Sequence, residues 1–148
     1  MKSALVTHGI AACLVAAAFG TVPAFAADAP SLVGTWKMAG DDHAAARLGS
    51  GNGYFGAMPD PTFGKPSDAW TYVIDRQDGR AFAGVALGPN GKSEPIVGVF
   101  RRDGTNFLMS NATGSMIGEV IGDGLEICWS DHVTEWLAVS CTIYAKAP

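Results

Sequence analysis

An all-β fold, a single antiparallel up-and-down barrel of about eight strands, is what the sequence predicts once its first 26 residues are set aside. Three observations lead there. Asp-Gly, Asn-Gly and Thr-Gly pairs, which accept positive φ and suit tight hairpins, recur at short intervals after Trp70, with glycines at 79, 91, 104, 114 and 124. The stretches between them are rich in Val, Ile, Phe, Tyr, Trp and Thr. No useful length of helix-period sequence intervenes.

In chain order, Lys2 supplies a positive start, Ala4 to Phe19 is apolar apart from Thr7 and His8, and Ala24-Phe25-Ala26 has the small-x-small pattern of a cleavage site. Residues 1–26 are therefore expected to be a cleaved signal peptide, with Ala27 the new N-terminus. The apolar run is shorter than the roughly 20 residues of a membrane span and is interrupted by Gly20 and Pro23, so stable membrane insertion after cleavage is not expected. What remains, 27–148, is enough for one domain around one core. Its strands are expected at Leu32–Met38, Ala69–Asp75, Arg80–Leu87, Glu94–Arg101, Thr105–Ser110, Met116–Ile121, Leu125–Ser130 and Trp136–Tyr144. Several carry apolar or small residues on both faces, as in Pro95-Ile96-Val97-Gly98-Val99-Phe100, which suits a closed barrel with a partly apolar exterior.

A long Gly/Pro-rich loop, Ala39 to Ser67, is expected after the first strand, and its length suggests a lid or binding loop. Asp42 to Leu48 within it has the makings of one or two helical turns capped by Asp41 or Asp42. At the other end of the chain, a last hairpin turning near Thr134-Glu135 sets residues whose numbers sum to 269 face to face. That register opposes Cys128 and Cys141, and a disulfide is the simplest reading of two cysteines in an exported chain. Two buried free thiols are the alternative.

Gly34-Thr35-Trp36 on the first strand resembles the opening of the calycin barrels: lipocalins, fatty-acid-binding proteins and avidins. The resemblance implies a tryptophan closing one barrel end. Ala138 to Tyr144 is similar to the last strand of fatty-acid-binding proteins, but Thr142 stands where those proteins place a carboxylate-holding Arg, so that role does not carry over. The middle and end of the chain, including Phe82, Glu94-Pro95 and Leu125-Glu126-Ile127-Cys128, resemble small secreted bacterial barrels without an assigned activity. Such likeness implies fold and export, not chemistry.

After signal removal the chain keeps 14 acidic residues and all basic ones but Lys2, about −5 in charge, and Arg101-Arg102 is its one adjacent basic pair. A nucleic-acid partner is therefore not expected. Ligand-binding candidates are the aromatics Trp36, Trp70, Tyr72, Phe82, Trp129 and Trp136, with flat apolar faces suited to a ring or hydrophobe, although filling the core is the simpler use for them. Phe82, Gly84 and Ala86 share a strand face whose small residues leave room beside the ring. Glu94, Glu119 and Glu126 fall in strands whose alternation is too blurred to assign a face; pointing to solvent is the simpler use for each, and an inward carboxylate would suit general acid–base chemistry. Asp41-Asp42-His43 and Asp131-His132 lack metal-site spacing, no cofactor motif occurs, and Asn111-Ala112-Thr113 is an N-glycosylation sequon of consequence only in a eukaryotic secretory pathway. The expectation is a periplasmic or secreted barrel that binds a small apolar or aromatic ligand. The alternatives are a small lyase, isomerase or cyclase using an inward Glu, and a structural protein that oligomerises through its barrel face.

Overall fold

Glycines turn the chain where positive φ is needed. Gly79, Gly91 and Gly104 take φ of 53°, 75° and 73°, whereas in the turn before β8 that conformation falls on Gly122 (62°) rather than Gly124. In the computed structural model, which describes residues 29–49, 58–66, 69–133 and 136–148, these turns separate nine strands. They are β1 (Gly34–Gly49), β2 (Met58–Gly64), β3 (Thr71–Asp78), β4 (Ala81–Leu87), β5 (Ser93–Phe100), β6 (Asn106–Ser110), β7 (Gly114–Ile121), β8 (Gly124–Val133) and β9 (Trp136–Lys146). A 3₁₀ turn at Pro89–Gly91 joins β4 to β5. The predicted signal peptide lies outside the described residues, and at 58, 59, 90, 132, 133 and 136 the backbone alone is described.

Each strand pairs antiparallel with its neighbour in the order β2-β1-β3-β4-β5-β6-β7-β8-β9, and β1 also pairs with β9. That last ladder, with Met38 opposite Tyr144, closes β1 and β3–β9 into an eight-stranded barrel and leaves β2 as an extra strand on β1. Within the expected 39–67 loop, β1 continues to Gly49 and β2 follows. The helical turn expected at Asp42–Leu48 is therefore corrected to strand. Ala44–Gly49 hydrogen-bond along β9 on one side, and Ala45–Gly49 along β2 on the other, a backbone satisfaction that a two-turn helix in water does not match. A bulge between Met38 and His43, with Gly40 at φ 70°, re-aims the strand.

Because β1, β8 and β9 run 16, 10 and 11 residues while β3–β7 run 5 to 8, the long strands outlast the barrel at one end. Together with β2 they rise past the rim as a wall. The opposite end is sealed. Phe82, Phe100 and Phe107 meet edge to face at 5.5–5.8 Å, and the segment before β1 folds over the barrel with Leu32 buried. Gln77 ties that segment down, accepting from the Leu32 N–H (2.8 Å) and donating to the Pro30 carbonyl (3.0 Å), while the Trp36 indole donates to the Leu32 carbonyl at 2.8 Å.

Between seal and rim the barrel is filled by Ile74, Ile96, Met109, Met116, Ile127, Tyr72 and Tyr144. The two tyrosine rings meet at 5.0 Å, and the Tyr72 hydroxyl donates to the Met116 sulfur at 3.6 Å. Burial, followed by the Tyr144 hydrogen bond acting in the opposite sense and by the charge of Glu94, leaves the Tyr72 phenol pushed up to about 12; burial raises Tyr144 too. The unfolded chain deprotonates near pH 10 while the folded one keeps its proton, so stability is intact below pH 10 and falls as pH rises through about 12. Unfolding free energies from urea titrations should fall by about 1.4 kcal/mol per pH unit between pH 10 and about 12 for Tyr72, and Tyr72→Phe should flatten the slope.

The predicted hairpin register is the one found: Cys128 faces Cys141 in the β8–β9 ladder, and the two are joined by a disulfide. Reduction should cost about 2–3 kcal/mol for so short a loop, read as a lower unfolding midpoint with dithiothreitol that Cys128→Ser/Cys141→Ser reproduces.

Candidate functional site

Alternation along each strand decides which candidates reach the interior. Residues 94, 96, 98 and 100 of β5 point inward, as do 116, 118 and 120 of β7 and 125, 127, 129 and 131 of β8; this follows from their burial and from cross-strand pairs such as Met116 with Trp129. Glu119 and Glu126 sit on the opposite parity. They face each other across the β7–β8 ladder on the outside of the barrel, and neither is a lumenal carboxylate.

Trp36, Tyr72 and Phe82 are buried members of the core cluster. The room expected near Phe82 is occupied by the ring itself. A Cβ on Gly98, across the β4–β5 ladder, would lie 2.2 Å from Phe82, and a Cβ on Gly118 would lie 2.1 Å from Phe107. The glycines are recesses that neighbouring phenylalanines fill, not the floor of a pocket. Gly84 has a different use: its missing Cβ admits the Val73 carbonyl beside the bulge at Ile74–Arg76.

The remaining candidates gather at the rim opposite the seal. Trp70, just before β3, packs over Gly88, where a Cβ would come within 2.7 Å of its ring. The Trp129 indole nitrogen would lie 2.7 Å from a Cβ on Gly114. Two half-buried indoles thus rest on glycine backbone at the same barrel end. Trp136 opens β9 opposite Val133 and Gly49; its side chain lies outside the described residues.

Of the three strand glutamates Glu94 is the inward one, 9% exposed, and Asp131 of β8 is a second inward, buried carboxylate. Asn111 Nδ2 donates to Glu94 Oε2, the Thr113 hydroxyl donates to the same oxygen at 3.4 Å, and Lys92 Nζ stands 2.7 Å from Glu94 Oε1. The ammonium also lies 5.4 Å from the centre of the Trp70 ring. Asn111 is itself fixed, its side-chain oxygen accepting from the N–H groups of Thr113 (3.1 Å) and Gly114 (2.7 Å). Strand β5, the β6–β7 turn and the segment before β3 are thereby locked into one arrangement of charge, amide and indole.

Lys92 is not among the residues the sequence singles out, and Asn111 and Thr113 are there only as a sequon, not as site residues. The signal present was Asn-x-Thr in a tight turn, which reads as a glycosylation sequon until the barrel brings Glu94 beside it. Glu126, Cys128 and Cys141 also cluster, but the two sulfurs are bonded to each other and offer no thiolate for a metal. Comparison with protein-family models, with curated proteins and with solved structures yields no match to this chain.

Proposed function

We propose that the protein is an exported binding barrel that takes a small apolar or aromatic ligand at the open rim. The carrying observation is the pair of indoles set on glycine backbone, Trp70 on Gly88 and Trp129 on Gly114, beside a carboxylate that Lys92, Asn111 and Thr113 hold in place. Aromatic faces fixed before the ligand arrives reduce the ordering cost of binding. With the interior filled from the phenylalanine seal to the tyrosines, the ligand rests on the rim, walled by the extended β8, β9, β1 and β2, rather than deep in the lumen. The disulfide agrees with a periplasmic or secreted location, and the closed barrel with Gly34-Thr35-Trp36 supports a calycin-like assignment.

Among the strand glutamates a catalytic reading narrows to Glu94, because Glu119 and Glu126 face outward. All the contacts described for Glu94 hold it in place as an acceptor, which favours binding over proton transfer. The test is native mass spectrometry of protein purified from its own host, which should show a bound small molecule. In addition, the neutral dye N-phenyl-1-naphthylamine should bind the wild type and lose about ten-fold in affinity in Trp70→Ala, while the exterior variant Ile117→Ser leaves it unchanged. Binding that ignores Trp70→Ala, or depends on Ile117, defeats the reading.

One observation favours a second activity on a different face. Val99, Leu108 and Ile117 are cross-strand neighbours on the exterior, continuing through Cys128 and Cys141, and Val97 (64% exposed) and Val139 (51%) flank them. A contiguous apolar belt of this kind marks a contact surface, and a two-fold self-contact would cover it with its own kind. Light scattering should then give twice the chain mass, and Ile117→Asp the mass of one.

A further inference from the structure

We propose that the Lys92 head is a built-in occupant of an ammonium site, and that the rim ligand is an amine, an aromatic or apolar body whose primary ammonium takes the place of that head beside Glu94 and Trp70. This rests on the rim as the binding site and adds the ligand's charge, the group that recognises it and the side chain that competes with it.

Glu94 sets the requirement. A carboxylate only 9% exposed is costly to hold without a counter-charge. Its two oxygens are met differently. Oε2 takes both neutral donors, the Asn111 amide and the Thr113 hydroxyl, whereas Oε1 is met, among the described residues, by the Lys92 ammonium at 2.7 Å. Neutral donors satisfy lone pairs but leave the charge in place, so a cation belongs at Oε1. The Trp70 ring suits the same cation. Its centre lies 5.4 Å from Lys92 Nζ, within the reach over which an indole attracts an ammonium. Carboxylate and indole together define a place for an amine, and the chain fills it with its own.

The resident cation can leave, and the carboxylate cannot. The Lys92 side chain is 48% exposed against 11% for Glu94, so the ammonium has a short path to water. The backbone beneath it stays in place, because the Lys92 carbonyl accepts from the Gly88 N–H at 2.8 Å and the Lys92 N–H donates to the Pro89 carbonyl at 3.2 Å. Only the flexible stem has to swing, and a released lysine stem regains rotamer freedom. An incoming amine restores the counter-charge at Oε1 and brings what Lys92 lacks, a ring or hydrocarbon for the indoles. Trp129 is tied to the same place: it packs over Gly114, whose N–H donates to Asn111 Oδ1, and the Asn111 amide in turn donates to Glu94. The chain's net charge of −4 adds a long-range preference for a cationic over an anionic head.

One naphthalene body with three heads tests the site. At neutral pH 2-(1-naphthyl)ethylamine is a cation, 1-ethylnaphthalene is neutral and 1-naphthylacetate is an anion. In equilibrium dialysis the amine should bind the wild type about three-fold more tightly than the neutral compound and the acetate more weakly than either, and added salt should erode the preference. Lys92→Gln removes the resident cation and should raise the amine's affinity about ten-fold, while 1-ethylnaphthalene gains nothing. Glu94→Gln should abolish the preference for the amine. Lys92→Gln alters a half-exposed side chain, so it keeps the test open if Glu94→Gln disturbs the fold. An amine affinity that stays level or falls in Lys92→Gln, or a preference that survives Glu94→Gln, overturns the ammonium site and leaves the rim reading intact wherever Trp70→Ala still weakens all three compounds. Failure of all three to bind overturns both.

Discussion

Replacing Phe107 with alanine is expected to remove about 3–5 kcal/mol of unfolding free energy, a large share of the 5–15 kcal/mol that holds a domain folded. Phe107 is wholly buried and touches Phe82 at 5.6 Å and Phe100 at 5.5 Å edge to face. Its ring covers Gly118, which has no side chain to move into the space left behind. The cavity cannot collapse from that side, and the upper part of the range applies. The same contact makes a reciprocal claim. Gly118→Ala puts a methyl group 2.1 Å from the ring and should cost about 1–3 kcal/mol alone, yet cost less when Phe107 is shortened to leucine. Urea titrations of the two single variants and the double variant measure that coupling. A loss below about 1 kcal/mol for Phe107→Ala would show that the three rings do not seal the barrel.

The barrel itself was legible because its signals are local. Turn dipeptides placed the hairpins, and a single register assumption put Cys128 against Cys141 as found. The continuation of β1 was not legible. Ala39–Gly49 is rich in alanine, glycine and charge, and it is strand only because β9 and β2 lie on either side of it, a long-range cause that local propensity does not encode. The rim was half legible. Trp70, Glu94 and Trp129 were named for their chemistry, but Lys92 reads as an ordinary turn residue and Asn111-Ala112-Thr113 as a sequon until the β5–β6 pairing sets the β6–β7 turn beside Glu94. The face of Glu119 and Glu126 was not legible for a simpler reason. Both faces of β7 and β8 are apolar enough to blur alternation, and a one-residue shift of parity moves every side chain to the other side of the sheet.

The second large effect is expected at Glu94. Glu94→Leu should cost about 2–4 kcal/mol, because it keeps the volume but strands the Asn111 amide and the Thr113 hydroxyl beneath an apolar side chain. Lys92, half exposed, can turn to water and adds little. Most of the loss should therefore appear in the β6–β7 turn, as faster amide hydrogen exchange at Thr113 and Gly114, whose N–H groups bond to the Asn111 side-chain oxygen. Glu94→Gln is the sharper comparison. It preserves an acceptor for one donor but gives up the charge that holds Lys92 over Trp70, so it should cost roughly half as much and still weaken N-phenyl-1-naphthylamine binding. If dye affinity survives Glu94→Gln while stability falls, the carboxylate serves the turn alone. If affinity and exchange protection fall together, the same three contacts that fix the turn also hold the indole surface on which the ligand rests.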